Sequence, residues 1–194
     1  SSTEVRTPGD APTVLVAMNP AALKNNIKDL TRGGMAIINT DKFTQRDLDK
    51  AEYKSNPLED GSLDNFQVIP VQLSKMTKGS VDGLGLNAKQ ADRCKNFFAL
   101  GICYWLFNRD MSITKDWING KFKGSFREAN IRAMEAGWSY AETVELFNSS
   151  YEVAPAKLEP GVYRNIMGNQ ALALGFVAAS QLADTPLFQG AYPI

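Results

Sequence analysis

The residues able to carry chemistry in this chain are few. Histidine is absent, so neither a Ser-His-Asp nor a Cys-His site can be assembled from it. Histidine ligation of a metal is excluded with it. Two cysteines, Cys94 and Cys103, are too few for an iron–sulfur cluster. They fall on different turns of one predicted helix and read as buried, unpaired thiols of a cytosolic protein. Asp47, Asp49, Glu52, Glu59, Asp60 and Asp64 make an acidic stretch, but without the spacing that converges oxygens on a hard cation. GLGLNA (Gly83 to Ala88) has the spacing of a dinucleotide loop. The predicted strand before it ends too early and no acidic residue follows at a strand end, so it reads as a turn and helix cap. The paired glycines of TRGGMA follow a helix and precede a strand, the reverse of a phosphate cradle, and read as a helix C-cap. Lys123, Arg127 and Arg132 are offset by interleaved acids.

Those residues must be positioned by elements that the hydrophobic pattern defines. TVLVAMN (Thr13 to Asn19) is a continuous apolar, β-branched run, as in a parallel strand buried on both faces. Asn19 suits a helix N-cap and Pro20 its first turn, and Ala22, Leu23, Ile27 and Leu30 then recur at helical spacing. MAIIN (Met35 to Asn39) is a second buried strand, giving a βαβ unit. Residues 41–65 are mostly polar, with NPLEDGSLDN (Asn56 to Asn65) as loop. FQVIPV (Phe66 to Val71) is a third strand, placed at an edge or ended by Pro70. Asn87 caps a helix through AKQADRCKNFFALGICYWLFN, apolar on all sides from Phe97 to Phe107. That run needs a second covering surface, expected from another domain or subunit. It is well short of the roughly 20 residues of a membrane helix. TKDWINGKF and SFREANIRAMEAGWSYAETVELF are shorter helices, the latter broken at Gly137. Residues 151–166 read as a linker rich in proline and turn residues. GNQALALGFVAASQLAD (Gly168 to Asp184) is a helix whose Ala171, Gly175 and Ala179 form a smooth stripe, and LFQGAYPI reads as a short strand.

Composition agrees with a folded α/β chain: 44% of the residues are hydrophobic, and Lys+Arg balance Asp+Glu at 21 each. A zero formal charge argues against nucleic acid or an anionic membrane as partner.

The segments VLVAMNPAALKNNIKDL, RCKNFFALGICYWLFNRD, TKDWINGKF, YRNIMGNQALALGFVAAS and YPI, in that order, resemble the α subunit of 2-oxoglutarate:ferredoxin oxidoreductase, in the 2-oxoacid:acceptor oxidoreductase family. The resemblance implies a Rossmann-like γ-type α/β domain over residues 1–150, lacking its N-terminal part. It implies a linker over 151–166, and over 167–194 the first helix and strand of the domain covering the pyrimidine side of thiamine diphosphate. The implied reaction is oxidative decarboxylation of 2-oxoglutarate to succinyl-CoA with electrons passed to ferredoxin. Thiamine diphosphate, magnesium and a [4Fe–4S] cluster are expected mainly on a β subunit, with no cofactor bound by this segment alone. The implied partners are that β subunit, ferredoxin, coenzyme A and the 2-oxoacid, in the cytoplasm. The chain is then a segment of a longer subunit that stops within the YPI motif. Tyr192, Pro193 and Ile194 are its candidate substrate-binding residues: rigid Tyr192-Pro193 would set Ile194 beside the substrate carboxylate. A non-catalytic assembly module, a pyruvate-type subunit and a nucleotide-binding protein are the alternatives.

Overall fold

The computed structural model describes residues 11–147, 150–153, 159–164 and 166–190. The chain divides into two units, Ser1–Ala156 and Lys157–Ile194.

In the first unit, β1 (Val14–Ala17), β2 (Met35–Asn39) and β3 (Gln67–Val71) form a parallel sheet in the order β1-β2-β3. Val16 registers with Ile37, and Ile37 with Ile69. Because side chains alternate along a strand, each strand feeds two cores. Met35, Ile37 and Val71 enter one cluster; Ala17, Ala36 and Ile38 enter the other. Strand β2 is buried at all of its positions, as the unbroken run MAIIN requires. Pro70, with no N–H to donate, sits in β3, an edge strand among the described residues.

The second cluster is closed by α1 (Pro20–Asn26), through Leu23. Asn19 caps α1 by accepting from the Ala22 N–H at 2.8 Å, with Pro20 at the start. A 3-10 turn at Ile27–Asp29 ends the helix. Gly33 then turns at φ +77°, its N–H donating to the Asn65 carbonyl.

The first cluster is closed by α3 (Leu73–Ser80), α4 (Ala88–Arg93), α5 (Lys95–Leu106) and α7 (Gly124–Thr143). Helix α6 (Ser112–Lys121) joins α7 through Lys115–Glu135 at 2.7 Å, and α5 through Tyr104 and Thr114.

Several expectations are corrected. The polar stretch 41–65, given no element before its loop at 56–65, opens with a 3-10 turn at Thr40–Lys42 and α2 (Gln45–Lys50), capped by Thr44. Leu48 is the one buried residue of α2, so no period could show. The helix after Asn87 is two helices. At Cys94 the ladder tightens, its N–H donating to Ala91 three residues back, and α5 starts afresh.

Helix α7 passes through Gly137 unbroken. Gly137 packs there against α5: an added Cβ would lie 2.0 Å from the Phe98 carbonyl oxygen. The contact is reciprocal, because a Cβ on Gly101 would lie 1.9 Å from the Met134 carbonyl oxygen. A second surface over Phe97 to Phe107 is therefore α7 of the same unit, which closes on Phe98, Ile102 and Leu106, while Phe97, Trp105 and Phe107 stay partly exposed. Phe98, Ile102 and Leu106 are fully enclosed, while Trp105 stacks on Phe147 and Phe107 on Tyr151. Fully burying such a side chain is worth about 1.5–3 kcal/mol.

In the second unit, α8 (Gly168–Ala183) ends at Asp184 in a left-handed conformation. Leu172, Leu174, Phe176 and Val177 are exposed along it. A Cβ at Gly175 would meet nothing within 4 Å among the described residues. Residues 187–190 carry no strand, and residues 191–194 lie outside the described residues.

Helix propensity and packing predict opposite signs for the buried glycines. Replacing helical glycine by alanine in open space stabilises by about 0.4–1 kcal/mol; Gly120→Ala, with nothing within 4 Å, follows that rule. Gly101→Ala and Gly137→Ala force backbones apart and cost about 1–3 kcal/mol or more each. Urea unfolding of the three variants checks it, and stabilisation by Gly137→Ala would refute the close crossing.

Candidate functional site

In an open parallel sheet the strands all end at one edge, where the turns leave a crevice suited to ligands. Here the turn after β1 brings Met18, Asn19, Pro20 and Ala21 to that edge, the turn after β2 brings Lys42, and α2 contributes Asp47, Lys50 and Ala51. Lys95, the first residue of α5, reaches the same place. Together they enclose a cavity of about 340 Å³.

Polar bonds hold this edge. The fully buried Asn39, last residue of β2, donates from Nδ2 to the Met18 carbonyl and to Ser74 Oγ, each at 3.3 Å. Its Oδ1 is buried with no partner among the described residues. Asp41 accepts from the Lys75 N–H at 2.8 Å, tying the turn after β2 to the first turn of α3. Thr44 caps α2, its Oγ1 accepting from the Asp47 N–H and donating to Asp47 Oδ2.

The electrostatics are mixed and slightly positive. Lys42, Lys50 and Lys95 bring three ammonium groups, against the Asp47 carboxylate at the wall and Asp92 beside Lys95. Asp92 Oδ2 lies 2.5 Å from Lys95 Nζ. Burial pushes the Asp92 carboxyl up, but Lys95, reinforced by Lys42, outweighs it and holds it below the usual carboxylate range. Such a cavity can bind and orient an anion, with polar groups around it. Its lining includes no cysteine or hydroxyl nucleophile. Burial raises both Cys94 and Cys103 above the ordinary thiol value, and both are unpaired, so each stays a thiol at neutral pH.

The other candidates from the sequence fare differently. Asn87 and Gln90 form a reciprocal capping box, so GLGLNA ends in a helix cap. Of the acidic stretch, Asp47 joins the cavity, whereas Asp60 is engaged by Ser55 and Ser62 in a surface turn. Among the described residues no three His, Cys, Asp or Glu side chains converge as a metal site would need. Tyr192, Pro193 and Ile194 lie outside the described residues. Sequence reasoning missed the lysine cavity altogether. The available signal was Asn39, a polar residue ending an apolar strand; lysines at 42, 50 and 95 give no local pattern.

Residues 1–140 match the family model described as pyruvate ferredoxin/flavodoxin oxidoreductase. The chain belongs to this family. It is 49% identical over 193 residues to the 2-oxoglutarate oxidoreductase subunit KorA of Mycobacterium tuberculosis, covering 98% of this chain and 30% of that protein. The α subunit of 2-oxoacid:ferredoxin oxidoreductase 1 of Sulfurisphaera tokodaii is 27% identical over 138 residues, 71% of this chain and 20% of that one. The chain thus spans a third or less of the length of these curated relatives. Among solved structures, 2-oxoglutarate:ferredoxin oxidoreductase from Magnetococcus marinus, with 2-oxoglutarate, coenzyme A and succinyl-CoA bound, shares the fold at TM-score 0.56 and 19% identity. That match covers 81% of this chain and 24% of that one. In this oxidoreductase-family chain the described helices include none long and apolar enough to cross a membrane.

The Asp92–Lys95 pair carries a pH signature. A carboxylate depressed in the folded state stabilises fully above its unfolded value of about 3.9, and that stabilisation is lost as pH falls through the lower folded value. Native chain and Asp92→Asn should differ in urea midpoint by a constant amount from pH 7 to about 4, the gap closing below that. A gap unchanged at pH 2.5 would show that Asp92 is not depressed.

Proposed function

We propose that this chain is part of the α subunit of a 2-oxoacid:ferredoxin oxidoreductase that converts 2-oxoglutarate to succinyl-CoA and passes the electrons to ferredoxin. It acts with a β subunit, in the cytoplasm. The 49% identity to the Mycobacterium tuberculosis subunit, over 98% of this chain, carries the reading and favours 2-oxoglutarate over pyruvate. In this reading residues 1–150 form a γ-type domain, 151–166 a linker and 167–194 the start of the domain over the pyrimidine side of thiamine diphosphate. Tyr192, Pro193 and Ile194 are the candidate substrate-binding residues of this reading, Ile194 being the one assigned to the substrate carboxylate.

The chain's own residues do not fit the redox cofactors. Two cysteines cannot supply the four thiolates of a [4Fe–4S] cluster, and the described residues bring together no acidic group that would hold magnesium diphosphate. Thiamine diphosphate, magnesium and the cluster belong mainly to the β subunit in this reading, and no step is assigned to them here. What this chain supplies is binding. The lysine-lined cavity at the strand ends suits the phosphates of coenzyme A, with Lys42 and Lys50 as charge partners and Asn19 and Asn39 holding the Met18 turn beneath them.

The assay uses the complete α and β subunits with ferredoxin as acceptor. Reduction should require both a 2-oxoacid and coenzyme A, and be faster with 2-oxoglutarate than with pyruvate. In the same assay Lys50→Gln should raise KM for coenzyme A by about tenfold, the effect of a lost charged hydrogen bond, with kcat little changed. A preference for pyruvate would overturn the substrate, and no 2-oxoacid-dependent reduction would overturn the function, leaving an assembly module.

A further inference from the structure

Two walls of the cavity are the start of α1, with Pro20 and Ala21, and the end of α2, with Lys50 and the following Ala51. Helix α2 is six residues long, too short to hold itself together in water. Two residues past its end stands Glu52, a non-glycine residue at φ +57°, a conformation that persists only where its surroundings enforce it. Lys24, on α1 one turn past the cavity, is placed to enforce it. Its Nζ donates to the Ala51 carbonyl at 2.8 Å and to the Glu52 carbonyl at 3.0 Å, and lies 5.5 Å from the centre of the Tyr53 ring. Those carbonyls are the groups a helix C-terminus leaves unpaired, and a cation there meets the negative end of the helix dipole. Lys24 does not line the cavity; its Nζ is turned to the Ala51 and Glu52 carbonyls. The residue it anchors, Ala51, directly follows Lys50.

We propose that Lys24 is a positioning residue: by clamping the Ala51 and Glu52 carbonyls just past α2 it sets Lys50 for the anion, a role that rests on the reading of this cavity as the coenzyme A phosphate site. Lys24 is exposed, so its replacement leaves both hydrophobic clusters intact. In the complete oxidoreductase, Lys24→Met removes both clamp bonds and should raise KM for coenzyme A roughly three- to tenfold with kcat maintained, an indirect effect on the scale of one net hydrogen bond. Lys24→Arg, which can still donate to both carbonyls, should restore most of the affinity. If Lys24 acts through Lys50, adding Lys24→Met to Lys50→Gln should cost less than Lys24→Met alone costs, because coupled residues are not additive. Unchanged KM in Lys24→Met, with KM raised in Lys50→Gln, would overturn the positioning role and keep the cavity. Unchanged KM in both would overturn the cavity reading itself. Strict additivity, or KM and kcat moving together in Lys24→Met, would reduce Lys24 to a structural residue.

Discussion

The architecture of the first unit depends on two peptide backbones meeting without side chains between them. At Gly101 and Gly137 an added Cβ would lie within about 2 Å of a carbonyl oxygen of the facing helix, so α5 and α7 can approach this closely only as glycine to backbone. The closeness has consequences along the whole of α5. It seals Phe98, Ile102 and Leu106 between α7 and the sheet. It also fixes the start of α5, where Lys95 reaches the strand ends and pairs with Asp92. A wider crossing would open the core at one end and withdraw a cavity lysine at the other.

The sheet supplies the second half of the same geometry. Parallel pairing puts the ends of β1 and β2 side by side, so their turns share one edge. Alternation along β2 sends Met35 and Ile37 to one core and Ala36 and Ile38 to the other. Asn39 then closes the strand with a polar group that no core would accept unpaired. Its bond to the Met18 carbonyl locks the turn after β1 against the end of β2. The cavity is built from turns, one short helix and the first residue of another, held by such cross-links. Its charge is a local excess of lysine on a chain with none overall.

How much of this could be read in advance differed by element. The three strands were legible because each is a short run rich in apolar β-formers, β2 buried throughout and β1 and β3 only partly, and the caps at Asn19 and Asn87 because an N-cap needs only local chemistry. Helices α2 and α3 were not: each is short, and α2 buries a single residue, so no period forms. Gly137 misled because its cost within a helix is local while its reason is a neighbour distant in sequence. The charged cavity stayed hidden because its members come from four separate segments.

By itself the sequence determined the element types with strong hydrophobic pattern, the parallel α/β class, and the kinship that the ordered segments carry. The lack of histidine and the pair of cysteines already ruled out a histidine-dependent triad and a cysteine-held cluster built from this chain alone. The tertiary structure alone decided which helix covers Phe97 to Phe107, that Gly137 joins two helices instead of ending one, and that Lys42, Lys50, Lys95 and Asn39 meet at one edge. The physical reason is range. Propensity, capping and period act over a few residues and are written in adjacent letters, whereas close packing and electrostatic convergence depend on distances that exist only once the chain has folded.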